Sequence, residues 1–210
     1  MPTARKPATV VWVIVFLLIT VVMVFAVIRV RIDSSNLVSG FVPAEGEFDR
    51  RYALQPLLAY AHIIPGVVYL LLAPFQLSRR FRSRHLDLHR RMGRVLVPAG
   101  VISGIFAVVF GLFFSFGGAL EASAAVVFGI YFIAALVTAY KAIRAGDQIR
   151  HRRWMIRAFA IALGVGTIRI WVGLFQATGL LSFEDAFGVA FWISFVMHAI
   201  AAEVWLRFRP

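Results

Sequence analysis

Four polar side chains, Gln55, His62, Tyr69 and Gln76, recur every seventh residue through an apolar run from Ala53 to Leu77. Ala59, Gly66 and Ala73 keep the same interval, four residues further on. On an α-helix both series hold one face, drifting only ~20° per heptad. A membrane helix with a polar stripe beside a small-residue stripe turns that face toward other helices rather than lipid. The imidazole of His62 can there hydrogen-bond across helices or take part in a ligand site.

Arg169 points to the same depth. It lies ~13 Å below the outer boundary of its apolar segment at 1.5 Å per residue, and His62 lies ~15 Å below its own. Ala162, Gly166, Gly173 and Gln176 share its helix face. Arginine stays protonated and is costly at such depth, so it calls for an anionic group, a wet pocket or backbone carbonyls. The outer acids Glu121, Glu184 and Asp185 begin their segments too high to pair with it, and Glu203 sits too low, with Arg207 as its expected partner four residues on. Tyr131 and Ser194 come out near the depth of Arg169, and His198 one turn beyond Ser194. His62, Tyr131, Arg169, Ser194 and His198 are therefore expected to line one polar cavity that takes an anionic or amphiphilic ligand. The plainer alternative is a set of cross-helix hydrogen bonds with Arg169 as an architectural clamp.

A second histidine group, His85, His89 and His151, flanks the apolar segments. His85 and His89 stand four residues apart, on one face if that stretch is helical. With Asp87, Asp147 or Glu203 the three histidines admit a metal such as zinc. The surrounding arginines weigh against a second positive charge and favour a basic segment lying on anionic lipid. Haem b is the alternative cofactor. A layout like that of two-haem membrane cytochromes would pair His89 with His151, and His62 with His198 across a tilt, while an arginine met a propionate. No cysteine is present, so disulfides, thiolate metal sites and thiol catalysis are excluded. No phosphate loop, Ser-His-Asp order, HExxH or dinucleotide fingerprint occurs, and the residues name no reaction.

The elements that must position these groups are apolar segments. Of 210 residues, 61% are hydrophobic, against ~45–50% in soluble domains. Six segments, about 8–28, 53–77, 95–116, 120–142, 158–180 and 185–206, are each long enough to cross the ~30 Å hydrocarbon core. The fold expected is an all-α, six-span transmembrane bundle forming one integral membrane domain over 1–210. The first segment exceeds a signal peptide's apolar stretch and lacks a cleavage pattern after it, so it reads as a retained helix. Ser182, with Glu184 and Asp185 after it, reads as the cap of the last helix.

The net charge of +12 is gathered in connections. The 78–94 and 141–157 connections carry 7 and 6 Lys or Arg, and the two termini 2 each. The opposite side holds only Arg29, Arg31, Arg50 and Arg51, outnumbered by acids. Both termini are thus expected in the cytoplasm of a bacterial inner membrane crossed several times, with anionic lipids as partners at that face and no nucleic acid. A homo-oligomer or a membrane-complex partner is left open.

Four stretches, AHIIPGVVYLLLAPFQL, RHLDLHRRMGR, HRRWMIRAF with TIRIW, and AEVWLR, resemble an uncharacterised prokaryotic membrane-protein family catalogued as domain of unknown function 2306. The resemblance runs from about Tyr52 to Arg207. It implies a multi-pass membrane protein without an assigned activity. The positions it singles out are His62, Gly66, Gln76, His85, His89, Gly93, Arg94, His151, Arg152, Trp154, Arg157 and Arg169.

Overall fold

The structure is a computed structural model that describes residues 6–208, with side chains from Thr9 onward. Met1–Arg5 and Arg209–Pro210, which carry Arg5 and Arg209 of the charge count above, lie outside the described residues. Among the described residues there is no strand. The helices are α1 (Lys6–Ser39), α2 (Arg50–Leu54), α3 (Pro56–Leu77), α4 (Arg79–Arg84), α5 (Leu86–Phe113), α6 (Gly118–Arg144), α7 (Gln148–Thr178) and α8 (Phe183–Phe208). Six of them, all but α2 and α4, are long and apolar enough to cross a membrane.

Several ends differ from the expected ones for local reasons. The heptad series is cut at Gln55, whose φ of −128° and ψ of 52° interrupt the helix ahead of Pro56. A residue before proline is pushed out of the α region, and proline itself suits the first helical position. Pro65, Pro74 and Pro98 lie inside α3 and α5. The basic connections are largely helical. Ser78 caps α4 by accepting from the Phe81 N–H at 3.3 Å. Gly146, at φ 80°, turns the chain between α6 and α7, and Asp147 then caps α7 by accepting from the Arg150 N–H at 2.8 Å. Ser182 caps α8 as expected, accepting from the Asp185 N–H at 3.0 Å.

α1 runs on to Ser39, about three turns past the expected end at residue 28. Arg29 in this extension is neutralised on the spot. Arg29 pairs with Asp33 at 3.3 Å and with Asp49 at 2.7 Å, Tyr60 donates to Asp33 at 2.9 Å, and the Arg29 guanidinium lies 4.3 Å from the Tyr52 ring. Next to it, Arg51 donates to the Phe114 carbonyl at 2.9 Å and pairs with Glu121 at 3.2 Å, flanked by Phe48 at 4.4 Å and Phe116 at 5.8 Å. The other Glu121 oxygen accepts from the Phe116 and Gly117 N–H groups. These acids are therefore already committed.

α7 is the central element, packed against α1, α3, α6 and α8. α5 lies between α3 and α6, and α8 closes on α6 and α7. Among the described residues, the helices that α1 touches are α7, α3 and the short α2. Its approach to α7 is backbone-close: a Cβ on Gly166 would fall 2.7 Å from the Leu18 carbonyl oxygen.

Candidate functional site

The polar stripe of α3 faces α5. His62 Nδ1 stands 2.9 Å from the Ser103 carbonyl oxygen and 3.1 Å from Ser103 Oγ, while the Ser103 hydroxyl donates to the His62 carbonyl at 2.9 Å. The arrangement is self-consistent with the imidazole proton on Nδ1, which leaves Nε2 without a share in this clasp. Gly66 makes the fit possible, because a Cβ there would lie 2.8 Å from Ser103 Oγ. One heptad on, Tyr69 is 1% exposed with its hydroxyl unpartnered, and its ring lies against Gly100 and Phe132. Gln76, 6% exposed, follows beside Gly93, with its Nε2 unpartnered. His62, Tyr69 and Gln76 are thus each seated opposite a small residue of α5.

Arg169 lies on α7, which packs against α1 and α3. Its guanidinium lies 5.3 Å from the Phe25 ring, and its charge reaches His62. Among the described residues, no carboxylate pairs with it. Asp33 and Asp49 serve Arg29, Glu121 serves Arg51, and Glu203 serves Arg157.

The charge of Arg169 acts on His62, and the other three expected residues lie elsewhere. His198 Nε2 lies 2.7 Å from Thr167 Oγ1. Thr167 and Arg169 are two residues apart on α7, about 200° around the helix, so His198 and Arg169 lie on opposite sides of it. Ser194, fully buried with an unpartnered hydroxyl, shares the face of α8 that carries His198. Tyr131 lines a third place, an apolar groove of about 360 Å³ between α6 and α8, with Phe128, Ala199 and Glu203. The structure thus sets His198 and Arg169 on opposite sides of α7 and puts Tyr131 in a groove between α6 and α8.

Glu203 is also corrected. Its partner is Arg157 of the HRRWMIR stretch, held through two bonds of 2.6 and 2.9 Å, not Arg207. The Arg157 guanidinium lies 4.7 Å from the Trp154 ring as well.

His85, His89 and His151 do not assemble as a metal triad, and no metal-binding group of three occurs among the described residues. His85 sits at the break before α5 with φ −135°, so it does not share a helix face with His89, and its ring packs against Phe81 at 5.5 Å. His151 Nδ1 is held by the Ala139 carbonyl at 2.9 Å. The residues also do not fit a haem between His62 and His198, because α7 separates them and Thr167 engages His198 Nε2.

Ser103 and Thr167, the partners of the two membrane histidines, were not singled out from the sequence. The available signal was a lone hydroxyl in an apolar segment. That signal is faint, because serine and threonine also satisfy themselves on their own helix.

A family model, DUF2306, described as a predicted membrane protein, matches residues 59–206. No curated protein and no solved structure matches the chain.

Proposed function

The chain belongs to the DUF2306 family of predicted membrane proteins, and from that premise we propose that it binds an anionic amphiphile where α1, α3 and α7 come together, its head group at Arg169. One observation carries this reading: a guanidinium in the membrane-spanning part of α7 whose described neighbours, Phe25 and His62, supply no negative charge. A central arginine costs about 2.5–3.5 kcal/mol on insertion scales. An aromatic face returns only ~0.5–2 kcal/mol of that. A carboxylate or phosphate accepting two parallel N–H bonds would offset the rest and fix the head group's orientation. His62, clasped by Ser103, would offer Nε2 beside it. The exposed apolar flank of α1, including Val24, Val27 and Ile28, would accompany the tail.

Lipid extraction and mass spectrometry of the purified protein test the proposal. Wild type should carry an anionic amphiphile, Arg169→Lys less of it, and Arg169→Ala none while remaining helical by circular dichroism. Equal retention by wild type and Arg169→Ala would overturn it. Native mass of the same preparations reads the oligomeric state.

The clustering of Lys and Arg at one end supports an orientation with that end in the cytoplasm of a bacterial inner membrane, facing anionic lipid.

A further inference from the structure

α6 and α8 are both long and apolar enough to cross a membrane, and they close on each other near their first turns. A Cβ on Gly188 would lie 2.8 Å from the Leu120 Cβ, and the Trp192 indole donates to the Leu120 carbonyl at 3.1 Å. Phe128 follows, its ring 5.4 Å from that of Trp192 and 5.0 Å from that of Phe195. Beyond Phe128 the two helices leave the groove of about 360 Å³ that Tyr131 lines. Its other walls include Val127, Ile200 and Val204, all exposed on the bundle surface, so it opens sideways toward lipid.

Two polar residues line this apolar groove, Tyr131 and Glu203. Arg157 holds Glu203 through bonds of 2.6 and 2.9 Å, one to each carboxylate oxygen, so the groove carries no net charge. An ion entering it would leave water without finding a counter-charge, which disfavours anions and cations alike. Each Glu203 oxygen keeps a lone pair beside the Arg157 bond and accepts one further hydrogen bond. Among the described residues the Tyr131 hydroxyl makes no hydrogen bond, so its proton is available to an acceptor. One acceptor and one donor therefore stand at the same apolar surface. Glu203 lies ~30 Å along α8 from Phe183, about the thickness of the hydrocarbon core, so this end of the groove meets the membrane boundary.

We propose that the groove between α6 and α8 binds a neutral lipid alcohol of the diacylglycerol class. Its hydroxyl donates to Glu203, an ester carbonyl accepts from Tyr131, and an acyl chain lies along Val127, Ile200 and Val204. The volume and lining are those of a small-molecule site between helices, about 300–1,000 Å³ and mostly apolar, with a few polar groups to fix orientation. A phospholipid has no hydroxyl to give here and sets a phosphate beside the Glu203 carboxylate, so it fits less well. This site is separate from the one at Arg169, where the lone charge asks for an anion, and stands or falls independently of it.

The protein in phosphatidylcholine nanodiscs is illuminated with diacylglycerol, phosphatidylcholine or phosphatidic acid as the probe, each carrying a diazirine in the same acyl chain, and labelled peptides are mapped by mass spectrometry. Diacylglycerol should label the stretches 127–131 and 199–204 above all, and unlabelled diacylglycerol should displace it. Ala199→Phe, which fills the groove with a ring, should abolish the label. Ile130→Phe, at an exposed position of α6 outside the groove, should leave it unchanged. Tyr131→Phe should raise the half-saturating lipid fraction roughly three- to tenfold, as expected for losing one neutral hydrogen bond. Arg169→Ala should label like wild type, so the two proposals fail separately. Retained helicity by circular dichroism verifies that each variant folds. Equal labelling of the groove by phosphatidylcholine or phosphatidic acid overturns the proposal, as does Ala199→Phe labelling like wild type. A native mass showing a dimer cross-linked through these two stretches also overturns it and gives the groove to a second copy.

Discussion

Ser103 grips His62 at both ends of the residue: its hydroxyl donates to the His62 carbonyl at 2.9 Å, and its own carbonyl oxygen lies 2.9 Å from the imidazole Nδ1. One serine on α5 thereby sets the rotamer of a histidine on α3 and satisfies a backbone acceptor in a medium that offers no water in exchange. The space for that serine is the missing side chain of Gly66.

Gly66→Ala forces the Ser103 hydroxyl aside and should destabilise the protein by about 1–3 kcal/mol, the usual range for overpacking. Ser103→Ala removes the obstacle and the hydroxyl half of the clasp, and keeps the carbonyl that holds Nδ1. In the double variant the loss should be smaller than the sum of the single losses, as contacting residues do not add. Denaturant titration in detergent micelles measures this, and simple additivity would show that the two positions do not share the space.

Gly166→Ala sets a Cβ 2.7 Å from a backbone oxygen of α1, which cannot swing away as a side chain could. Gly173, one heptad along α7, has nothing within 4 Å of its Cβ position. Alanine at 166 should lower the melting temperature by several degrees and expose α1 to protease. At 173 it should be neutral or slightly stabilising, since alanine is favoured over glycine in a helix by about 1 kcal/mol. Equal effects at the two positions would contradict the close crossing of α1 and α7.

Arg51→Ala strands Glu121, which is 3% exposed, among phenylalanines. Breaking such a pair typically costs about 3–5 kcal/mol, much of it from the carboxylate left behind. Adding Glu121→Gln should recover part of the loss. Thermal melts of the three variants decide it, and a double variant no better than Arg51→Ala would place the cost in lost aromatic contact.

Arg157 and Glu203 should show a coupling of about 1–3 kcal/mol in a double-mutant cycle, whereas Arg207 and Glu203 should show none. The chain order favours the second pair, because four residues on a helix bring side chains together. Across helices, the two parallel bonds from Arg157 win, being charge-assisted and geometrically matched.

The contest for Glu203 illustrates what was legible beforehand. Arg207 was visible as a neighbour because helical spacing follows from chain order alone. Arg157, forty-six positions earlier, becomes a neighbour only when α7 and α8 pack. Arg29 and Arg51 follow the same rule, since their acids Asp49 and Glu121 lie on other segments. Matched depth put His62, Tyr131, Arg169, Ser194 and His198 at similar levels, but depth says nothing of facing: His198 turns to Thr167, and Tyr131 lines a groove between α6 and α8.

By itself, the amino-acid sequence determined that this chain is helical and has six segments able to cross a membrane, because hydrocarbon admits only backbone that satisfies itself and the crossing length follows from the rise per residue. It also set how deep each polar group sits, which is a count along one axis. Only the tertiary structure decided which of those groups meet. That depends on the angle around each helix relative to its neighbours, and Thr167 and Arg169, two residues apart, are turned by α7 toward different helices and different partners.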